Sequence, residues 1–370
     1  MVTTSRLAQL ADQGQSVWID WLSRDLLLSG GLQRLITEHA VTGVTTNPTI
    51  LERAISTSSA YDDAIERLVG AGLTPKQTFE VIAATDVRVA AERLSPVWYA
   101  TRGVDGYVSS EVDPALAWST NGTVAEVRRL HEALPLPNVL VKIPATEAGI
   151  VAIEESIALG RSINVTLIFS LERYAAVVEA YLRGLRRAAD AGRDLTTIHS
   201  VASFFISRLD TAADRLLEQD ARPSALKLRG QLGIASAKLA YQHFQEAFHG
   251  PRWEALRAYG ATPQRPLWAS TSVKDARYRD VRYVEELIGP GTITTLPEPT
   301  LVAFEDHGRV KPALPRGVDA ARRTFDALAS TGIDLRRLTD ELERDGIARF
   351  SDSYANVIAL IASRRRTRAA

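Results

Sequence analysis

The sequence predicts a (β/α)8 barrel, and three observations predict it. Eight short apolar runs recur along the chain, longer helical patterns separate them, and nearly every run ends in polar residues. Several of the runs are apolar without alternation, which fits parallel strands covered by helices. An open doubly wound sheet would use the same alternation of elements, but eight units are what closure requires.

The runs are SVWID at 16–20, TGVTTN at 42–47, DGYVSSEV at 105–112, NVLVKIP at 138–144, INVTLIF at 163–169, IHSVASFF at 198–205, PLWAS at 266–270 and GTITTL at 291–296. Between them lie amphipathic segments such as 74–94 and 170–192. The second of these is expected to start at a Ser170 cap and to end near Gly192. A minimal barrel of this type needs about 250 residues, and the chain has 370. The surplus falls at 223–249, a helical insertion between the sixth and seventh strands, and at 316–366, read as further helices. No linker, low-complexity tract or repeat divides the chain, so residues 1–370 are expected to form one barrel domain. The apolar positions Ile347, Phe350, Tyr354, Val357, Ile358 and Ile361 are spaced by three and four. One helical face of this kind is expected to pack across or beside the barrel mouth, or else to serve as an ordinary packing helix away from it.

Composition narrows the functional classes. Apolar residues make up 45% and charged residues 24%, an ordinary globular balance. Lys and Arg together number 44, as do Asp and Glu. A formal charge of zero removes bulk attraction to nucleic acid or to anionic membranes. The absence of cysteine excludes thiolate metal sites, disulfides and thiol nucleophiles. The first fifteen residues lack a signal-peptide layout, and the expectation is a cytoplasmic protein. The six histidines form no His-x-x-x-His pair, and no Walker A, Gly-x-Gly-x-x-Gly or Gly-x-Ser-x-Gly sequence occurs. The basic run Arg364-Arg365-Arg366 with Arg368 reads as a solvated helix end rather than a nucleic-acid site.

Catalytic groups of such barrels lie where strands run into their following loops. The first strand ends in Asp20, the third reaches Glu111, and the fourth carries Lys142. Lys142 interrupts Val139-Leu140-Val141 and Ile143-Pro144, a run that otherwise belongs in a core. Burial disfavours an ammonium ion, so an amine there is a candidate nucleophile toward carbonyls, unless it simply snorkels to solvent. Taken singly, Glu111 could open a turn and Asp20 could cap a helix. Converging in one cavity, one amine and two carboxylates are the minimum for imine formation with proton transfer.

Several segments then resemble one family. GVTTNPTIL (43–51), VSSEVDPALA (108–117), VLVKIPATEAGI (139–150), INVTLIFS (163–170) and HSVASFFISRLD (199–210) are similar to the signature segments of transaldolases, as are ASTSVKD (269–275) and TITTLPEPTL (292–301). The resemblance spans nearly the whole chain and is strongest to the longer actinobacterial members. It implies a class I aldolase chemistry without metal or organic cofactor. Lys142 would form a Schiff base with the ketose, and Asp20 would take the C4 hydroxyl proton. Glu111 would move protons through a water shared with Thr166. Asn47 and Asn164 would bind sugar hydroxyls and the enamine, and Ser203, Arg208 and Lys274 the phosphate. The implied partners are phosphorylated sugars, with a dihydroxyacetone unit passing from sedoheptulose 7-phosphate or fructose 6-phosphate to an aldose phosphate, linking pentose phosphates to glycolysis. A lyase releasing free dihydroxyacetone and a non-catalytic phosphosugar-binding barrel are the alternatives. Two positions depart from the family pattern. Lys274 stands where shorter members often carry arginine, and Ser272 stands where glycine would suit a tight loop. A residue pairing of Arg208 with Asp210 or Asp214 on its own helix is the structural alternative to phosphate binding.

Overall fold

A computed structural model describes residues 5–366. Met1–Thr4 of the segment read for a signal peptide, and Arg368 of the basic run, lie outside the described residues. Eight parallel strands close in sequence order into a barrel: β1 (Gln15–Ile19), β2 (Val41–Thr45), β3 (Tyr107–Glu111), β4 (Val139–Pro144), β5 (Ile163–Ile168), β6 (Ser200–Phe205), β7 (Arg265–Ala269) and β8 (Thr292–Leu296). Each falls within a residue or two of its apolar run, and β1 pairs with β8 in parallel to complete the closure. The doubly wound alternative is thereby excluded. No helix among the described residues is long and apolar enough to cross a membrane.

The outward residues of the strands and the inward faces of the helices form the main core, with Ile143, Val165, Phe204 and Tyr181 all inaccessible to solvent. Inside the barrel, Trp18 fills the lower part and its indole N–H donates to Asp105 at 2.7 Å. Gly43 on β2 makes room for it, since a Cβ there would lie 2.4 Å from the indole ring. The helix Leu171–Asp190 begins at Ser170, whose hydroxyl accepts from Arg173 N at 3.1 Å, and Gly192 follows it with φ of +69°.

Between β6 and β7 the regular helix Ser207–Asp220 is followed by Pro223–Leu226, Leu232–Ala247 and Pro251–Arg257. After β8 come Glu298–His307, Val318–Thr331 and the long terminal helix Leu335–Arg366. Val318–Thr331 packs on Leu232–Ala247, so two segments that exceed a minimal barrel cover one another. The terminal helix crosses the mouth. Ile347 and Phe350 join an apolar cluster with Leu167, Phe169 and Phe205, while Val357 and Ile361 pack against Ile55, Tyr61 and Phe79. The expectation for Arg364 is corrected: its guanidinium is bonded to Asp62 and to the Ile55 carbonyl rather than left in solvent.

Candidate active site

Strand register brings the central groups together. In the parallel pairing, Glu111 on β3 faces Lys142 on β4, and Lys142 faces Asn164 on β5. Three side chains therefore share one row at the C-terminal end of adjacent strands. The Lys142 side chain is 6% exposed, and its Nζ donates to the Thr46 carbonyl at 3.0 Å and to Glu111 Oε2 at 3.2 Å. It does not snorkel to solvent. Phe350 of the terminal helix lies over it, 6.0 Å from Nζ to ring centroid. Desolvation holds the Glu111 carboxyl above its ordinary range, partly offset by the neighbouring Lys142 charge.

Asp20 follows β1 directly. It caps no helix, because Ser23 accepts from Leu26 N at 3.1 Å and caps the next one. Burial pushes its carboxyl up to about 6, against opposing attractions from Lys142 and Lys274. Glu111 opens no turn either, since Asp113 takes that part by accepting from Ala115 N at 2.9 Å.

The neutral polar groups are divided between orienting and open roles. Ser203 donates to Asn164 Oδ1 at 2.8 Å, and Asn164 Nδ2 donates to Ser109 Oγ at 2.9 Å. This buried relay fixes the Asn164 amide. Asn47 caps Pro48–Thr57 through Oδ1, which accepts from Ile50 N at 3.0 Å, and the residue also lines the cavity. Thr166 is fully buried, and its Oγ1 has no partner among the described residues. Beside it, Leu167 adopts φ of +59° where the β5–β6 register shifts. That bulge lets Thr166 and Leu167 both face inward, while Ile168 returns to the outer core.

A cavity of about 1330 Å³ opens above this row. Asp20, Asn47, Lys142, Thr166 and Ser203 line its inner part, and Arg208, Lys274, Arg349 and Phe350 line it further out. Arg208 is the second residue of Ser207–Asp220, over the Phe205 ring at 5.3 Å. It pairs with neither Asp210 nor Asp214, whose carboxylates accept instead from Gly233 N at 2.6 Å and Gly230 N at 2.7 Å. Lys274 donates to Ser272 Oγ at 2.6 Å. The left-handed backbone position in that loop is Ser270, with φ of +56°, so the glycine expected at Ser272 has no conformational basis. Ser270 O accepts from Ser207 N, and the two hydroxyls meet at 2.9 Å, tying the loop to the Arg208 helix.

Sequence reasoning gave no role to Ser109 or to the Thr46 carbonyl. The apolar periodicity of the last helix marked Phe350 for the mouth but not its seat over Lys142 Nζ; nothing local marks a backbone carbonyl. Among the described residues, no three His, Cys, Asp or Glu side chains converge as a metal-binding cluster.

A parallel barrel with a buried amine beside a carboxylate at its C-terminal mouth has the groups that carbonyl chemistry at an amine requires, and it belongs to the barrel enzymes by its fold. The model of the transaldolase/fructose-6-phosphate aldolase family matches residues 17–361, and the chain belongs to that family. It is 48% identical to the transaldolase of Thermobifida fusca, over 97% of this chain and 98% of that protein. It is 46% identical to transaldolase 2 of Streptomyces coelicolor, over 96% of each, and 48% identical to the transaldolase of Mycolicibacterium paratuberculosis, over 95% of each. The chain is an enzyme, a transferase of the transaldolase kind.

Proposed function

We propose that this chain transfers a dihydroxyacetone unit between phosphorylated sugars through an imine on Lys142. The observation that carries the reading is the position of Lys142 Nζ: buried, open to the cavity, and 3.2 Å from a carboxylate.

In the proposed sequence, Glu111 accepts a proton from Lys142, and the free amine adds to the C2 carbonyl of the ketose. Loss of water from the carbinolamine gives the iminium ion, with Glu111 supplying the proton through a water bonded to Thr166. The unpartnered Thr166 Oγ1 supports that assignment. Asp20 then takes the C4 hydroxyl proton as the C3–C4 bond breaks. The electron pair moves into an enamine and the aldose departs. The acceptor aldehyde reverses these steps, and hydrolysis frees Lys142. A carboxyl near 6 suits Asp20 to give and take one proton near neutrality. Asn164, oriented by Ser203, would hold the enamine end, and Asn47 the sugar hydroxyls. Arg208 and Lys274 would bind the terminal phosphate, Arg208 at a helix start where backbone amides also favour anions.

Borohydride reduction in the presence of fructose 6-phosphate, followed by peptide mass spectrometry, tests the reading. The reduced three-carbon adduct is expected on Lys142; an adduct on another lysine, or none in an active preparation, rejects it. Running the same enzyme with and without erythrose 4-phosphate separates transfer from simple aldol cleavage, because only a lyase releases dihydroxyacetone continuously when no acceptor is present. A binding barrel would give neither product.

A further inference from the structure

Besides Lys142, six cations line the cavity: Arg222 is paired with Asp220, Arg337 with Glu341, and Arg215 lies two turns further along the Arg208 helix. The remaining three, from three separate elements, are set against one another. Arg208 comes from the helix after β6, Lys274 from the loop after β7, and Arg349 from the terminal helix. Arg349 is exposed on its outer side, lines the cavity, and makes no hydrogen bond or ion pair among the described residues. Its place is fixed by its neighbours. Ile347 and Phe350 are buried in the apolar cluster of the mouth. Gly346 lets the helix approach β5 so closely that a Cβ there would lie 2.9 Å from the Leu167 side chain. The residues of this helix that line the cavity run from Arg337 to Phe350; Arg337 is paired with Glu341, which leaves Arg349 as the helix's unpaired cation there among the described residues.

We infer that Arg349 completes a three-cation clamp on the terminal phosphate of the substrate and is a specificity-determining residue for phosphorylated over unphosphorylated sugars. This rests on the reading of the cavity as a phosphosugar site and adds to it a residue from outside the barrel. A phosphate monoester offers three oxygens, so two forked guanidiniums and one ammonium can each find an acceptor. Like charges facing one space repel until an anion arrives, and that repulsion is visible here. Burial first, and then the Arg349 charge, lower the proton affinity of Arg208; burial and Arg208 do the same to Lys274. Because the barrel supplies two of the cations and the terminal helix the third, the phosphate would also fasten the helix over the Lys142 row.

The test compares wild type, Arg349→Ala, Arg349→Lys and Arg208→Ala. Two quantities are read: the inhibition constant for inorganic phosphate, and the ratio of kcat/KM for fructose 6-phosphate over fructose. Arg349→Ala is expected to raise the former and lower the latter by about tenfold or more, the range for one lost charged hydrogen bond. Arg349→Lys should recover part of both. The inference is overturned if Arg349→Ala changes both quantities less than twofold while Arg208→Ala shifts them. It is equally overturned if Arg349→Ala slows both sugars alike with the phosphate constant unmoved, which marks a helix-positioning residue. If neither Arg208→Ala nor Arg349→Ala moves the phosphate constant, the phosphosugar reading of this end of the cavity falls with it.

Discussion

Asp20 combines reactivity with a cost to the fold. Its carboxyl is pushed up to about 6 by burial, above the 3.8 of an exposed aspartate. The folded state therefore binds this proton more tightly than the unfolded chain, and stability falls as pH rises from about 4 through 6. Above that window the ionised group costs about 1–3 kcal/mol, taking 1.36 kcal/mol per unit as the conversion. Asp20→Asn should then melt higher than wild type at pH 7.5, with the gain fading as pH is lowered toward 4. The same variant should lose about 10²–10⁴-fold in turnover, the range for a positioned acid or base. Thermal melts across pH check the first part and the coupled assay the second; a variant less stable than wild type at pH 7.5 would contradict the electrostatic argument. For the wild-type enzyme, kcat/KM should decline as pH falls through about 6, where the free-enzyme Asp20 becomes protonated. Among the cations, Arg208→Ala should weaken fructose 6-phosphate more than Lys274→Ala does, because a guanidinium grips two oxygens and an ammonium one. A loss equivalent to about 1.5–3 kcal/mol is expected for Arg208. An equal loss on unphosphorylated fructose would show instead that Arg208 holds the helix start in place.

At the scale of elements, the terminal helix and the β5 bulge build the mouth. Phe350 is 4% exposed, seated over Lys142 Nζ and packed with the inward Leu167. Phe350→Ala should cost about 3–5 kcal/mol of stability, the range for an emptied aromatic site, and should slow imine formation by admitting water above the amine. Removing residues 347–370 should reduce activity further than its fall in melting temperature explains, since it takes Phe350 and Arg349 together. A folded truncation with full activity at a temperature well below its melting point would reject a role for the helix at the mouth. Leu167 holds a left-handed backbone that costs a non-glycine residue about 1–2 kcal/mol. The return is two consecutive inward residues, Thr166 for the site and Leu167 for the helix to rest on.

Across the whole molecule, buried titratable groups pull in opposite directions with pH. Burial raises Asp20 and Asp210 to about 6 and lowers His131 and His199 to about 4. The raised aspartates stabilise the fold as pH falls from 6 to 4. The lowered histidines, neutral in the fold but charged in the unfolded chain below 6.5, destabilise it over nearly the same interval. The melting temperature of the wild type should therefore change little between pH 6.5 and 4.5. Asp20→Asn, which deletes one of the compensating aspartates, should steepen its fall toward acid. A steep wild-type slope in that interval would show that one set dominates.

The sequence by itself determined the eight β/α units and their order, because an uninterrupted apolar run and a 3.6-residue periodicity are local properties. It also determined which residues are chemically out of place. Lys142 inside an apolar strand, and Asp20 and Glu111 at strand ends, stand out without any knowledge of their neighbours. The positions of Ser170 and Gly192 were legible for the same reason, since caps are fixed by a few adjacent residues. Only the tertiary structure decided that Glu111, Lys142 and Asn164 share one row, because register follows from barrel closure and not from any single strand. It decided that Ser203 orients Asn164, that Ser270 rather than Ser272 carries the left-handed turn, and that two successive residues of β5 face inward at a bulge that simple alternation cannot announce. It decided, too, that Phe350 and Arg349, some two hundred residues from Lys142 in the chain, close the mouth above it. A helical pattern shows which face of the last helix is apolar, but the surface it meets exists only once the barrel has closed.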